Sequence, residues 1–241
     1  MGDKKLTEKG VDYEFDFQFS PSYSILNIHL QNGQVINAEA GAMIYHDTTI
    51  GIKTKKFSKG FWKSIIKSLA GESFWINEFT AETGDGLLGL APPYPGDIKH
   101  IKINAGEQWM VYSGAFIACS PSIDTSTKFS GFKKGLFGGE NMFYLLVEAE
   151  KDSDLFVSAL GGFLTRELKA EDTLRIDNSH LVAMQKDVQW DIKKVGGLKS
   201  TLFSKEGLVI EVTGPGKIIF QTRSPAEIIS WIYRYLPKGR G

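Results

Sequence analysis

Apolar and polar residues alternate over short distances through most of this chain. Tyr13, Phe15, Phe17 and Phe19 interleave with Asp12, Glu14, Asp16 and Gln18. That period of two predicts a strand with one buried face. Leu26, Ile28 and Leu30 resume the pattern after Pro21. Further short apolar runs at 74–79, 98–103, 108–112, 142–148, 155–159, 208–213 and 218–222 are separated by Gly, Pro, Asn and Asp. Those are the residues that turn a chain, so the pattern predicts many short strands in an all-β sandwich or barrel. Two segments read as short peripheral helices, 61–69 and 225–236. The second has Pro225 at its start and Pro237 at its end.

The pattern also returns on a longer scale. Gly131-Phe132-Lys133, Phe137 and Glu140 match Gly197-Leu198-Lys199, Phe203 and Glu206 at the same spacing, and Gly60-Phe61 with Glu72 is a longer version. Upstream, Gly41-Ala42-Met43 resembles Gly114-Ala115-Phe116, with Ser179-His180-Leu181 in the third place. These matches predict one compact unit over 1–241 with three tandem β repeats, roughly 22–100, 101–165 and 166–225, followed by the helix. Three small β units around an intramolecular pseudo-threefold axis is the simplest arrangement.

Charge changes the picture more than composition does. The 28 basic and 28 acidic residues cancel among 241, which argues against a globally basic nucleic-acid binder. Their placement is uneven. Segments 48–71, 125–139 and 192–205 carry thirteen lysines and no acid, where about six acids would fall by chance. Each starts after an aspartate (Asp47, Asp124, Asp191) and stops before a glutamate (Glu72, Glu140, Glu206). In the first, Lys59, Lys63 and Lys67 fall on one face of a helix and Phe61, Trp62, Ile65 and Ile66 gather on the other. Lysine mixed with aromatics suits an anionic membrane interface, an acidic protein partner, or a single-stranded nucleic-acid groove. The candidate surface residues are Lys55, Lys56, Lys59, Phe61, Trp62, Lys63, Lys67, Lys133, Lys134, Lys193, Lys194 and Lys199. The bland alternative is a helix packed on its own protein with solvated lysines.

Catalytic and metal motifs are missing from the sequence. His29, His46, His100 and His180 are scattered, with no His-x-His, His-Glu-x-x-His or Cys-x-x-Cys, so no metal or cofactor is expected. Cys119 lies in an apolar run and reads as core. There is no Gly-x-Ser-x-Gly elbow, and Leu198 spoils an apparent phosphate loop at Gly197-Leu198-Lys199-Ser200-Thr201. Gly84-Asp85-Gly86 and Gly214-Pro215-Gly216 read as turns, and 91–97 as a rigid connector. Glu72, Glu140 and Glu206 either cap loops or form an acidic ring. The expectation is a non-enzyme.

Several longer motifs resemble a known family. They are Gly41-Ala42-Met43, Leu90-Ala91-Pro92-Pro93 with Pro95-Gly96-Asp97-Ile98, Ser113-Gly114-Ala115-Phe116, Gly135-Leu136-Phe137-Gly138-Gly139-Glu140, Val195-Gly196-Gly197-Leu198-Lys199, and Gly214-Pro215-Gly216 with Gln221-Thr222-Arg223-Ser224-Pro225. Together they are similar to the prokaryotic family related to the mitochondrial protein "altered inheritance of mitochondria" twenty-four. The resemblance implies three tandem units like the tryptophan RNA-binding attenuator protein, each a β-sandwich or double-stranded β-helix, in a pseudo-trimer. It implies no catalytic set, and its mitochondrial members link it to membrane organisation. Asp177-Asn178-Ser179-His180 departs from the family's Thr-Gly before the histidine.

The N-terminus lacks the apolar core of a secretory signal, and no apolar run is long enough to span a bilayer. A cytoplasmic β scaffold, peripheral at a membrane, is the leading expectation. Docking would use the basic-aromatic end. Nucleic-acid binding through that end, or a small-ligand or enzymatic site between repeats, are the alternatives.

Overall fold

The computed structural model describes residues 7–56, 75–125, 144–194 and 208–237. An N-terminal arm carries β1 (Glu8–Lys9) and β2 (Glu14–Gln18). Six strands follow: β3 (Ile25–Leu30), β4 (Val35–Glu39), β5 (Met43–His46), β6 (Ile50–Lys56), β7 (Trp75–Ala81) and β8 (Gly86–Leu90). Next come β9 (Gly96–Ile103), β10 (Gln108–Tyr112), β11 (Phe116–Cys119), β12 (Ile123–Asp124), β13 (Tyr144–Ala149) and β14 (Ser153–Leu160). The last six are β15 (Phe163–Leu168), β16 (Thr173–Asp177), β17 (Leu181–Gln185), β18 (Gln189–Lys194), β19 (Leu208–Thr213) and β20 (Gly216–Gln221). One helix, α1 (Pro225–Tyr233), closes the described chain. All the described strand ladders are antiparallel.

The pairings follow one scheme. In the first six strands β3 and β5 flank β8, while β4 and β6 flank β7. In the second six, β9 and β11 flank β14, while β10 and β12 flank β13. In the last six, β15 and β17 flank β20, while β16 and β18 flank β19. The third strand of each six is bulged against its partner, between Met43 and Tyr45, Phe116 and Ala118, and Leu181 and Ala183. Two junctions join the sets, β4 to β11 and β10 to β17. The second is reinforced by Gln185, whose Nε2 donates to Glu107 Oε1 at 2.7 Å. The run 98–103, placed at the border of the first two copies from sequence, begins the second set, because its ladder is with β14.

Burial explains the ladders. β14 is buried along its whole length, its apolar Leu155-Phe156-Val157 and Ala159-Leu160 accompanied by buried Ser153, Asp154 and Ser158. Phe156, Phe116, Trp109 and Phe79 are among the largest fully buried side chains. Each contributes about 2–3 kcal/mol of transfer free energy. β15 (Phe-Leu-Thr-Arg-Glu-Leu), exposed on both faces through its middle, and the Lys-bearing β6 lack a buried apolar run, and the sequence pattern alone does not pick them out.

Two expectations are corrected at the ends of elements. Phe19 does not extend the buried face of β2. It turns away at φ 57° with 70% of its surface exposed. The C-terminal helix stops at Tyr233 rather than at Leu236. The helix expected at 61–69 lies outside the described residues.

Candidate functional site

The long connections come first, because the lysine-rich segments run into them. Segment 48–71 covers β6 and enters the link to β7. Segment 125–139 lies in the link from β12 to β13. Segment 192–205 covers the end of β18 and enters the link to β19. Each is therefore the connection between the fourth and fifth strands of its set. Lys59, Phe61, Trp62, Lys63, Lys67, Lys133, Lys134 and Lys199 lie outside the described residues, as do Glu72, Glu140 and Glu206. Lys55 and Lys56 end β6, opposite Ile76 and Trp75. Lys194 ends β18, opposite Leu208.

Lys193 is not a lone cation. Its Nζ sits 2.6 Å from Asp191 and 3.9 Å from Glu211, which also accepts from Arg175 Nε at 2.7 Å. The hydrogen bond and charge of Asp191 push the ammonium pKa up. These pairs are exposed, so they hold the β16–β19–β18 surface together only weakly. Lys53 similarly faces Glu82 at 3.6 Å.

Helix α1 was expected from its prolines, but its surface was not. Ser224 caps it, accepting from the Glu227 N–H at 3.2 Å, and Pro225 opens its first turn. An amphipathic helix normally sinks its apolar face into the protein. None of the residues of α1 is buried. Ile229, Trp231, Ile232, Tyr233, Tyr235 and Leu236 are 44–74% exposed, and Trp231 packs on Tyr235 with ring centroids 5.6 Å apart. The sequence 222–241 holds four basic residues, Arg223, Arg234, Lys238 and Arg240, and one acid, Glu227. The periodic signal was in the sequence, but it could not say whether the apolar face is covered.

Buried polar groups form two networks that sequence reading missed. On β2 the alternation predicts Asp16 facing water. Instead Asp16 is buried, accepting from Asn27 Nδ2 at 2.9 Å and Gln18 Nε2 at 3.4 Å, with His29 Nε2 at 3.2 Å. The Tyr45 hydroxyl donates to Asn27 Oδ1. In the second network Asp154 accepts from the N–H groups of Val11, Asp12 and Tyr13 at 2.8, 2.7 and 3.3 Å, and from His100 Nε2 at 2.7 Å. His100 packs against both Phe15 and Phe156, which also touch each other. Burial pushes the Asp154 carboxyl up, but His100 and the backbone donors outweigh it and hold the pKa below the ordinary value. Both networks tie strands and the arm together.

A polar cleft of about 500 Å³ lies beside the arm, lined by Asp12, Glu14, His29, Asp47 and Asp85 among others. Asp47 and Asp85 already accept from the backbone of Leu87 and Asn32. Among the described residues no group of three His, Cys, Asp or Glu side chains could hold a metal ion. Cys119 is buried, and burial pushes its thiol up to about 12, far from a nucleophile's range. His180 is half-buried and bonded to the Gln221 carbonyl at 2.7 Å, and His46 ends β5 against the Asp47 carbonyl. Tyr94 in the proline connector bonds Gly114 O and Ser158 Oγ, at 2.9 and 2.8 Å.

Among the described carboxylates, Glu39 at the end of β4 is the one displaced upward. Burial raises its pKa to about 7. The folded state then holds this proton more tightly than the unfolded chain, so Glu39 favours folding at low pH. That contribution is lost as pH rises from the ordinary glutamate value through 7. Glu39→Gln is expected to raise stability by about 3 kcal/mol at pH 8 and to change little at pH 4. Urea unfolding at the two pH values checks it, and equal shifts at both would remove the burial argument.

No helix among the described residues is long and apolar enough to cross a membrane, which says nothing of crossing with strands. Comparison with known proteins places the fold. An uncharacterized protein from Streptococcus pyogenes serotype M6 is 29% identical over 229 residues, covering 92% of this chain and 91% of that one. A crystal structure of a Streptococcus pyogenes protein matches with a TM-score of 0.73 and 26% identity, over 93% of this chain and all of the other. The model of the mitochondrial biogenesis AIM24 family matches residues 15–223, and the chain belongs to that family.

Proposed function

We propose that this protein is a β scaffold that docks on anionic membrane surfaces through its lysine-rich connections and helix α1. The observation that carries the reading is α1, a helix with none of its residues buried and with Trp231, Ile232 and Tyr235 open to solvent. Aromatics with flanking basic residues are what an interfacial helix needs. The placement of all three acid-free segments between the fourth and fifth strands supports it.

Magnitudes decide how many elements must act together. A lysine near an anionic bilayer contributes about 1 kcal/mol, so four give only about millimolar binding. Burying one large apolar side chain of α1 adds about 2 kcal/mol. Charge from the connections and apolar insertion from the helix together reach a useful affinity, and neither does alone.

The test is co-sedimentation with vesicles of graded phosphatidylserine content, at low and physiological salt. Binding that rises with lipid charge and falls with salt is expected. Changing Lys59, Lys63 and Lys67 to Glu should weaken it by about a hundredfold. Trp231→Ser with Ile232→Ser should weaken it while leaving its salt dependence in place. Binding that ignores all five substitutions, or no binding at any lipid charge, sinks the reading.

A further inference from the structure

Two sheet edges break the pairing scheme. β6, β12 and β18 are edges in all three sets, and so are β9 and β15 in theirs. The arm covers the remaining counterpart, β3, through β2. β5 and β16 are different. The counterparts of β5 are β11 and β17, and each accepts a strand from the preceding set. The counterparts of β16 are β4 and β10, and each supplies that strand. Yet β5 ends the five-stranded sheet and β16 ends the three-stranded one. Among the described residues the same junction is made twice and one half of it is left unfilled at each end.

Exposure marks the same two places. Met43, Ile44 and Tyr45 are 36%, 50% and 39% exposed, whereas Phe116, Ile117, Ala118, Leu181, Val182 and Ala183 are all at 0%. An edge strand is usually blunted with charge or proline. β5 instead shows water three apolar or aromatic side chains in a row.

We propose that β5 of one copy of this chain pairs with β16 of a second copy, forming between molecules the junction already made twice within each. The register follows from the two existing junctions. Ala38 and Val111 each lie five residues after a turn residue with positive φ, Gly33 and Gly106, and they face Ala118 and Ala183, the residues that complete the bulges. Glu171 is the third such turn residue, at φ 69°, and Tyr45 completes the third bulge. The junction between copies therefore sets Tyr45 opposite Ile176 and His46 opposite Arg175. It joins two unlike surfaces, so it builds a ring if the rotation closes and a filament if it does not. The existing junctions are two and three residue pairs long, so the contact is weak and reversible.

The test uses the full chain. Sedimentation velocity across roughly 1 µM to 1 mM should show the average mass rising with concentration, as for contacts in that affinity range. Ile44→Lys, at a half-exposed position, should hold the mass at that of a single chain while the thermal melt stays in place. Cross-linking then reads the register. His46→Cys in one preparation and Arg175→Cys in another, mixed and oxidised, should give a disulfide heterodimer, because opposed antiparallel residues lie within disulfide reach. Cys119 is buried and stays out of exchange. A single mass at every concentration with no heterodimer overturns the proposal. So does an intrachain disulfide in the double variant without heterodimer in the mixture, since that would place the third junction within one chain.

Discussion

Asp154→Ala is expected to cost about 4 kcal/mol of folding stability and to release the N-terminal arm. Asp154 is fully buried and accepts from three consecutive backbone N–H groups, of Val11, Asp12 and Tyr13, and from His100. A hydrogen bond to a charged group contributes about 1.5–3 kcal/mol, and a buried donor left without an acceptor costs about 1–3. The arm is partly exposed and would recover some of this from water, which brings the sum down to about 4. Its own N–H is held by Ser120 Oγ at 2.9 Å, so the strand β14 keeps its place while the arm leaves. Denaturant unfolding gives the total, and amide exchange at residues 11–13 gives the local part. Loss below about 1 kcal/mol with protected amides would mean that the arm is held by β2 packing instead.

The same carboxylate gives a pH signature of opposite sign to that of Glu39. Its folded pKa lies below the ordinary value. The stability it supplies is therefore complete above the unfolded aspartate value and is lost as pH falls through the folded one. Asp154→Asn should flatten this acid limb while leaving a deficit at neutral pH.

Gly96→Ala is expected to cost about 3 kcal/mol, by a steric route. Gly96 opens β9, opposite Leu160 of β14, and Tyr23 bridges to it. A Cβ there would stand 1.9 Å from the Ala159 carbonyl oxygen and 3.2 Å from the Gly161 nitrogen. Those are backbone atoms of a buried strand and cannot swing aside as a side-chain end would. The longest ladder among the described residues would have to open at its first pair. Gly162→Ala is the control, because its nearest neighbours would lie 3.9 Å away. It should change stability by less than about 0.5 kcal/mol. Urea midpoints of the two variants settle the comparison, and similar values would remove the close-approach argument.

The strands that sequence reading located are those whose two faces differ sharply or that hold three or more consecutive apolar residues. β2, β3, β10 and β14 are of this kind. β4, β5, β8, β16 and β17 passed unnoticed, since short segments such as Val-Ile-Asn-Ala-Glu carry little periodic signal of their own. Their conformation comes from the ladders on either side. The candidate surface divides in the same way. Charge segregation into three segments was legible, because it needs only counting. The pairing of Lys193 with Asp191 and Glu211, and the bareness of α1, were not.

The sequence by itself determined the all-β class, the family and the three acid-free connections, because local alternation, turn residues and motif spacing are properties of neighbours along the chain. Tertiary structure alone decided which edges are filled, that Asp16 and Asp154 are buried hubs, and that helix α1 leaves its apolar face to solvent. Those outcomes depend on what lies beside a segment in space. Asp154 meets Val11 across 143 positions and Ala118 meets Ala38 across 80, distances over which no local pattern carries information.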